Sequence, residues 1–190
     1  MTTPPPEDSR LLSLLKLFRY YKKLGEQAMA QVPEAELFQT IAPGANSISI
    51  IVGHLNGNMR SRWTDFLNTD GEKAWRQRDQ EFEEQYNSRE QILEAWETGW
   101  QCLFSALEGL DSQSLTQTVY IRGQAHSVEG AIHRQLAHYS YHCGQIVLLA
   151  KCAAGNHWTS LSIPKGGSDA FNQQRFNAPR AEGHYTDNLK

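Results

Sequence analysis

A chain of 190 residues has room for one domain and one hydrophobic core, and 39% hydrophobic with 21% charged residues is a globular balance rather than a disordered one. The formal net charge of −3 offers no basic field to nucleic acid or to an anionic membrane surface. The first six residues, Met-Thr-Thr-Pro-Pro-Pro, lack the basic start and apolar run of a secretory signal, and the longest aliphatic stretch, residues 146–150, is far too short to cross a bilayer.

The first predicted element is a helix over about residues 8–31, where Leu11, Leu14, Leu15, Phe18, Tyr21, Leu24 and Ala28 form a stripe at three- and four-residue steps. Pro33 ends it. A second helix starts near Asn46 or Ser47 and runs to about Leu67, with Ile50, Ile51, His54, Leu55, Asn58, Met59, Arg62 and Phe66 sharing a broad face. The polar stretch 68–87 reads as an ordered surface loop anchored by Trp75 and Phe82; a connection this long in a compact domain is often functional.

Ser88-Arg-Glu-Gln91 is a capping-box pattern that opens a third helix to about Gly109, with Ile92, Trp96, Gly99 and Leu103 as its apolar row. Residues 115–125, rich in Thr, Val, Tyr and Ile around Arg122-Gly123, predict a short β-hairpin or an extended crossover. Ser127 then caps a fourth helix to about Ala153, stopped by Gly155. The expected fold is all-α, a four-helix bundle with long connections after its second and third helices. Beyond it, Trp158, Ile163 and Phe171 predict that residues 158–172 dock on the bundle or on a second subunit, near the mouth of any pocket, while the polar residues 173–190 read as mobile. Lys165-Gly-Gly-Ser168 lacks the phosphate-loop order and reads as a turn before a short capped helix.

His138 and His142 lie four apart in the fourth helix and project from one face, one turn apart, a spacing that lets two imidazoles bind one ion. Tyr139 stands where a zincin has its glutamate, so that protease class is disfavoured. His54, between Ile51 and Leu55 on the apolar face of the second helix, is a buried histidine that needs partners for both nitrogens. Three histidines without a fourth protein ligand describe an open metal site, with the core-histidine alternative standing beside it. His126, His133, His157 and His184 read as solvated or turned away.

On the same face as His54, Asn58 and Arg62 are candidate substrate-binding residues: the amide orients bound water, the guanidinium grips an anionic group. The alternative pairs Arg62 with Asp65 or Glu72. Gln135 and Gln145 flank the paired histidines and are candidates for holding a ligand's tautomer, with ordinary amide contacts to loop backbone as the alternative. Cys102, Cys143 and Cys152, odd in number and without CxxC spacing, predict reduced thiols in a cytoplasmic protein, with Cys143 in a packing role.

The run Val52-Gly-His54-Leu-Asn-Gly-Asn58-Met, with Ser61-Arg-Trp63 and Asp70-Gly-Glu-Lys73, resembles one branch of the DinB-like superfamily. So do His138-Tyr-Ser-Tyr-His142-Cys-Gly-Gln-Ile146 and the segment from Leu161 to Asn172; the likeness covers about residues 48–172. The resemblance implies a four-helix bundle with a three-histidine site for a divalent metal ion, zinc or nickel, on His54, His138 and His142. It also implies a thiol-dependent chemistry of the kind relatives perform as transferases or isomerases with low-molecular-weight thiol cosubstrates, and a homodimer. The expected function is therefore a metal-dependent enzyme acting on a small molecule, with thiol transfer ahead of hydrolysis; the other class is a non-catalytic metal-binding bundle.

Overall fold

The computed structural model describes residues 9–180 and 182–188. Four helices form the body: α1 (Ser9–Met29), α2 (Ile48–Trp63), α3 (Arg89–Leu107) and α4 (Val128–Ala154). Asp8, the expected first helical residue, lies outside the described residues. α2 packs chiefly on α3 and α1 on α4, while α2 and α4 also meet directly. The fold is thus an all-α bundle, as the helical periodicities require.

The helix starts follow local chemistry. The Ser47, Ser88 and Ser127 side chains accept from the backbone N–H groups of Ile50, Gln91 and Gly130, satisfying amides that the first turn leaves unpaired. α4 stops at Gly155, whose φ of 53° is open to glycine. α2 ends four residues before the expected Leu67. Asp65 takes a left-handed φ of 47°, its carbonyl accepts from the Thr69 N–H at 3.0 Å, and the chain reverses. Phe66 stays buried from this turn, edge-on to Trp63 with ring centroids 5.1 Å apart. That is why it fits the helical stripe without being helical.

The core lies among all four helices. Phe18, Trp100 and Tyr139 are fully buried and meet with centroids 5.8–6.3 Å apart, joining α1, α3 and α4. The segment 115–125 resolves into a two-stranded antiparallel hairpin, β1 (Thr118–Ile121) and β2 (Gln124–Ser127). Its turn residues Arg122 and Gly123 both have positive φ, 54° and 72°, as a two-residue turn matched to strand twist demands.

After α4, Trp158 and Leu161 pack against the core, and Thr159 exchanges two hydrogen bonds with the Gln31 side chain (2.7 and 3.2 Å). Ile163 remains 40% exposed. A short helix, α5 (Ser168–Asn177), has no buried residue. A final turn, Tyr185–Asn188, lies along α1, where Lys16 pairs with Asp187 at 2.8 Å and Ser13 meets His184 at 3.1 Å. These contacts are polar, which is why apolar periodicity gives no sign of them.

Candidate metal centre

The loop between α2 and α3 is built from both ends. Asp70 accepts from three backbone N–H groups, those of Glu72, Arg122 and Gly123 (2.7–2.8 Å), tying the loop to the hairpin turn. The Gly71 N–H donates to the Tyr120 carbonyl at 2.8 Å, and Ser61 Oγ donates to the Gly71 carbonyl at 3.0 Å. Farther along, a one-turn 3-10 helix (Arg78–Phe82) brings Glu81 and Phe82 against α2. Of the two expected anchors, Phe82 stacks on His54 with centroids 4.9 Å apart, but Trp75 is 52% exposed and covers only the Arg60 guanidinium. The buried anchor is the charged Glu81, 5% exposed.

His54 from α2 and His138 and His142 from α4 come together. Nε2 of His138 lies 3.3 Å from Nε2 of His54 and 3.1 Å from Nε2 of His142, and the three candidate ligand atoms all fall within 4.8 Å of one another. For nitrogens about 2.0–2.1 Å from a tetrahedral ion the expected separation is roughly 3.3 Å.

The outward nitrogens are held in place. Nδ1 of His54 donates to Glu81 Oε2 at 3.0 Å, and Nδ1 of His142 to Gln145 Oε1 at 2.7 Å. Burial alone would raise the Glu81 carboxyl, but Arg76 and His54 hold it below the usual carboxylate range. Arg76 grips Glu81 with two bonds, 2.7 and 2.8 Å, and reaches Glu72 at 3.1 Å. With both acceptors fixed, neutral His54 and His142 each present a lone pair at Nε2. His138 Nε2 carries at most one proton and cannot satisfy both. Burial pulls the His138 pKa down to about 3 and that of His142 to about 4, with neighbouring positive charge adding to the effect. Near neutrality neither His138 nor His142 takes up a further proton, so the donor set fits a divalent cation.

One glycine makes this packing possible. A Cβ on Gly57 would lie 2.6 Å from Cδ of Glu81, whereas one on Gly53 would make only ordinary contact with the Tyr86 ring at 3.5 Å. α2 therefore presents bare backbone at Gly57, where Glu81 must approach His54. Gly57 enters the sequence reading only inside the DinB-like run, and Glu81 and Arg76 do not enter it at all. The loop gives no periodic signal, and a carboxylate 27 residues from His54 becomes its neighbour only through the turn at Asp65.

The cluster opens into a cavity of about 510 Å³, lined also by Asn58, Arg62 and Gln135. Asn58 Oδ1 accepts from Gln135 Nε2 at 2.8 Å and from the Tyr139 hydroxyl at 3.1 Å, and Trp63 Nε1 donates to that hydroxyl at 3.0 Å. Gln135 therefore orients Asn58 and Tyr139 rather than a histidine; Gln145 alone of the two glutamines meets a candidate ligand. Arg62 is 5% exposed and forms no ion pair with Asp65 or Glu72. The other histidines stay apart from the cluster: His133 bonds the Glu129 carbonyl of its own helix, and His126 Nε2 is buried without a partner. No residue of 158–172 lines the cavity, because that segment docks at the Gln31 end of α1.

Fold and site together define a helical-bundle protein with three histidines converging at the wall of an open cavity. The family described as Protein of unknown function (DUF1572) matches residues 8–167, and the chain belongs to it. No curated protein matches the sequence.

Proposed function

We propose that this chain is a metal-dependent enzyme of the DinB-like superfamily that acts on a small molecule beside a divalent ion held by His54, His138 and His142. One observation carries the reading: three Nε2 atoms converge beside an open cavity while acceptors behind two of the rings fix their tautomers. Zinc or nickel suits three imidazoles. Such an ion supplies a Lewis-acid centre that polarises a substrate oxygen or holds a thiolate.

The chain's own residues set the rest. Glu81, clamped by Arg76, keeps His54 a donor at Nδ1, and Gln145 does the same for His142. Gln135 and Tyr139 aim the Asn58 amide at the cavity. Thiol transfer is the first reaction class, with the sulfur brought by a low-molecular-weight cosubstrate. Among the described residues no cysteine lines the cavity, and Cys143 is buried with its thiol pushed up by burial and turned to the Tyr21 carbonyl. Hydrolysis by bound water is the second. A cytoplasmic homodimer is the setting that fits the reading.

The test is elemental analysis of protein purified without an affinity tag. About one equivalent of ion is expected in the wild type and none in His138→Ala; a wild type that neither carries nor takes up metal overturns the proposal. Circular dichroism with a chelator then separates two roles. Retained helix is expected for a catalytic ion, and complete unfolding would assign the ion a structural, non-catalytic role.

A further inference from the structure

Five of the fourteen residues lining the cavity are arginines, and none of the fourteen is acidic. The acids that balance them lie behind the wall. Arg76 is spent on Glu81 and Glu72, Arg122 shares Glu72 at 3.3 Å, and Arg78 reaches the exposed Asp79 only at 3.8 Å. Arg62 and Arg134 form no ion pair among the described residues.

Arg62 is the unusual member. Only 5% of it is exposed, and neither Nε nor Nη1 has a hydrogen-bond partner. Burial lowers its pKa from the ordinary value, yet a guanidinium keeps its charge in any protein environment. An unpaired buried charge is among the least favourable arrangements a fold can hold. Asp65, the nearest acid in sequence, accepts from the Asn68 amide at 2.8 Å, and Asp70 uses its carboxylate on three backbone N–H groups. Gly71 lies so close to the guanidinium that a Cβ there would come 2.5 Å from Nη1.

We infer that the cavity binds a small anionic molecule whose carboxylate or phosphate group is neutralised by Arg62, with Arg134 and Arg122 at its exposed rim. The inference rests on the reading of this cavity as the substrate site. His54, Asn58 and Arg62 follow one another at four-residue steps on α2, so the cation stands two turns, roughly 12 Å of helix axis, from the first histidine. Helical side chains lean toward the N-terminus, which turns Arg62 back toward Asn58 and the cluster. An acid group at one end of the molecule thus leaves the other end beside the histidines. The volume, about 510 Å³, suits a metabolite rather than a polymer.

The experiment titrates inorganic phosphate, malonate and uncharged malonamide into the wild type, Arg62→Met, Arg134→Gln and His138→Ala at low salt, by calorimetry. Saturable binding of an anion is expected in the wild type, with malonamide at least about tenfold weaker; the tighter of phosphate and malonate identifies the acid group. Arg62→Met should weaken the anion about tenfold or more while raising the melting temperature, a pairing that a purely structural arginine would not produce. Arg134→Gln should weaken it several-fold, and this exposed site decides the matter if Arg62→Met fails to fold. Anion binding retained in His138→Ala separates the arginines from the metal. Binding lost there but unchanged in Arg62→Met and Arg134→Gln places the anion on the ion and overturns the inference while sparing the metal site. No saturable anion binding, or equal binding of malonamide, also overturns it. Anion binding in a protein that takes up no metal would instead sink the metal reading alone.

Discussion

Glu81 accepts a hydrogen bond from Nδ1 of His54 at 3.0 Å, and both side chains are almost completely buried. This contact connects a long polar loop to the histidine cluster. It decides which nitrogen of His54 faces the cavity, and it holds a carboxylate in the interior only because Arg76, its side chain 2% exposed, balances the charge.

Glu81→Ala is expected to weaken metal binding by about 10–100-fold, the usual effect of removing a carboxylate behind a ligating imidazole. It should also destabilise the fold by about 3–5 kcal/mol, because Arg76 is left buried with one of its two acids missing. Competition with a chromophoric chelator reads the first effect and urea denaturation the second. Adding Arg76→Met should restore part of the stability without restoring the affinity.

Gly57→Ala separates helix propensity from packing. In an open helix the change would stabilise by about 0.5–1 kcal/mol. Here the new methyl meets the Glu81 carboxylate, so a lower melting temperature and weaker metal binding are expected together. A stabilised variant with unchanged affinity would show that Glu81 can retreat without consequence.

The metal-free protein should lose stability as pH falls from about 6.5 toward 4. The folded pKa values of His138 and His142 are about 3 and about 4, both depressed by burial, so in this window the unfolded chain takes up protons that the folded chain does not. The folded state is therefore favoured above the window and disfavoured as pH drops through it. Denaturation midpoints measured across the range should show the decline, and His138→Gln should make it shallower. An unchanged midpoint would mean that the rings protonate freely in the folded state.

A chain ending at Gly155 should melt at lower temperature, because Trp158 and Leu161 leave the core surface and Gln31 loses its two bonds to Thr159. Its metal affinity should match that of the full chain, since the cavity lining ends at Gln145. Reduced affinity in the truncated protein would show that the tail shapes the site from a distance.

How much was legible depends on whether information was local. Leu11, Leu14, Leu15 and Phe18 advertise α1 by spacing alone, and the three capping serines mark their helices with their immediate neighbours. The histidine pair on α4 follows from helical geometry, and the burial of His54 from its apolar flanks. What surrounds them was not legible. Glu81 and Arg76 lie in a segment without periodicity, and the hairpin that pins this segment is recognisable only as a strand-like run. Trp75 misleads because an exposed indole over Arg60 has the same composition signal as a buried anchor. The sequence leaves two alternatives open for Arg62, and only burial without an ion pair separates them.

The loop between α2 and α3 has one more consequence, for tolerance to change. Surface connections ordinarily accept insertions at little cost, since closing a somewhat longer flexible loop is entropically cheap. This one is fastened at Asp70 and Gly71 to the hairpin, at Glu81 to His54, and at Glu84 to the Ser47 hydroxyl at 2.5 Å. An extra residue between those fastenings would shift Glu81 out of register with the histidine while leaving every bundle helix intact. Residues 70–84 thus behave as a ruler of fixed length, and engineered insertions belong elsewhere, at the exposed Gly109 turn or beyond α5.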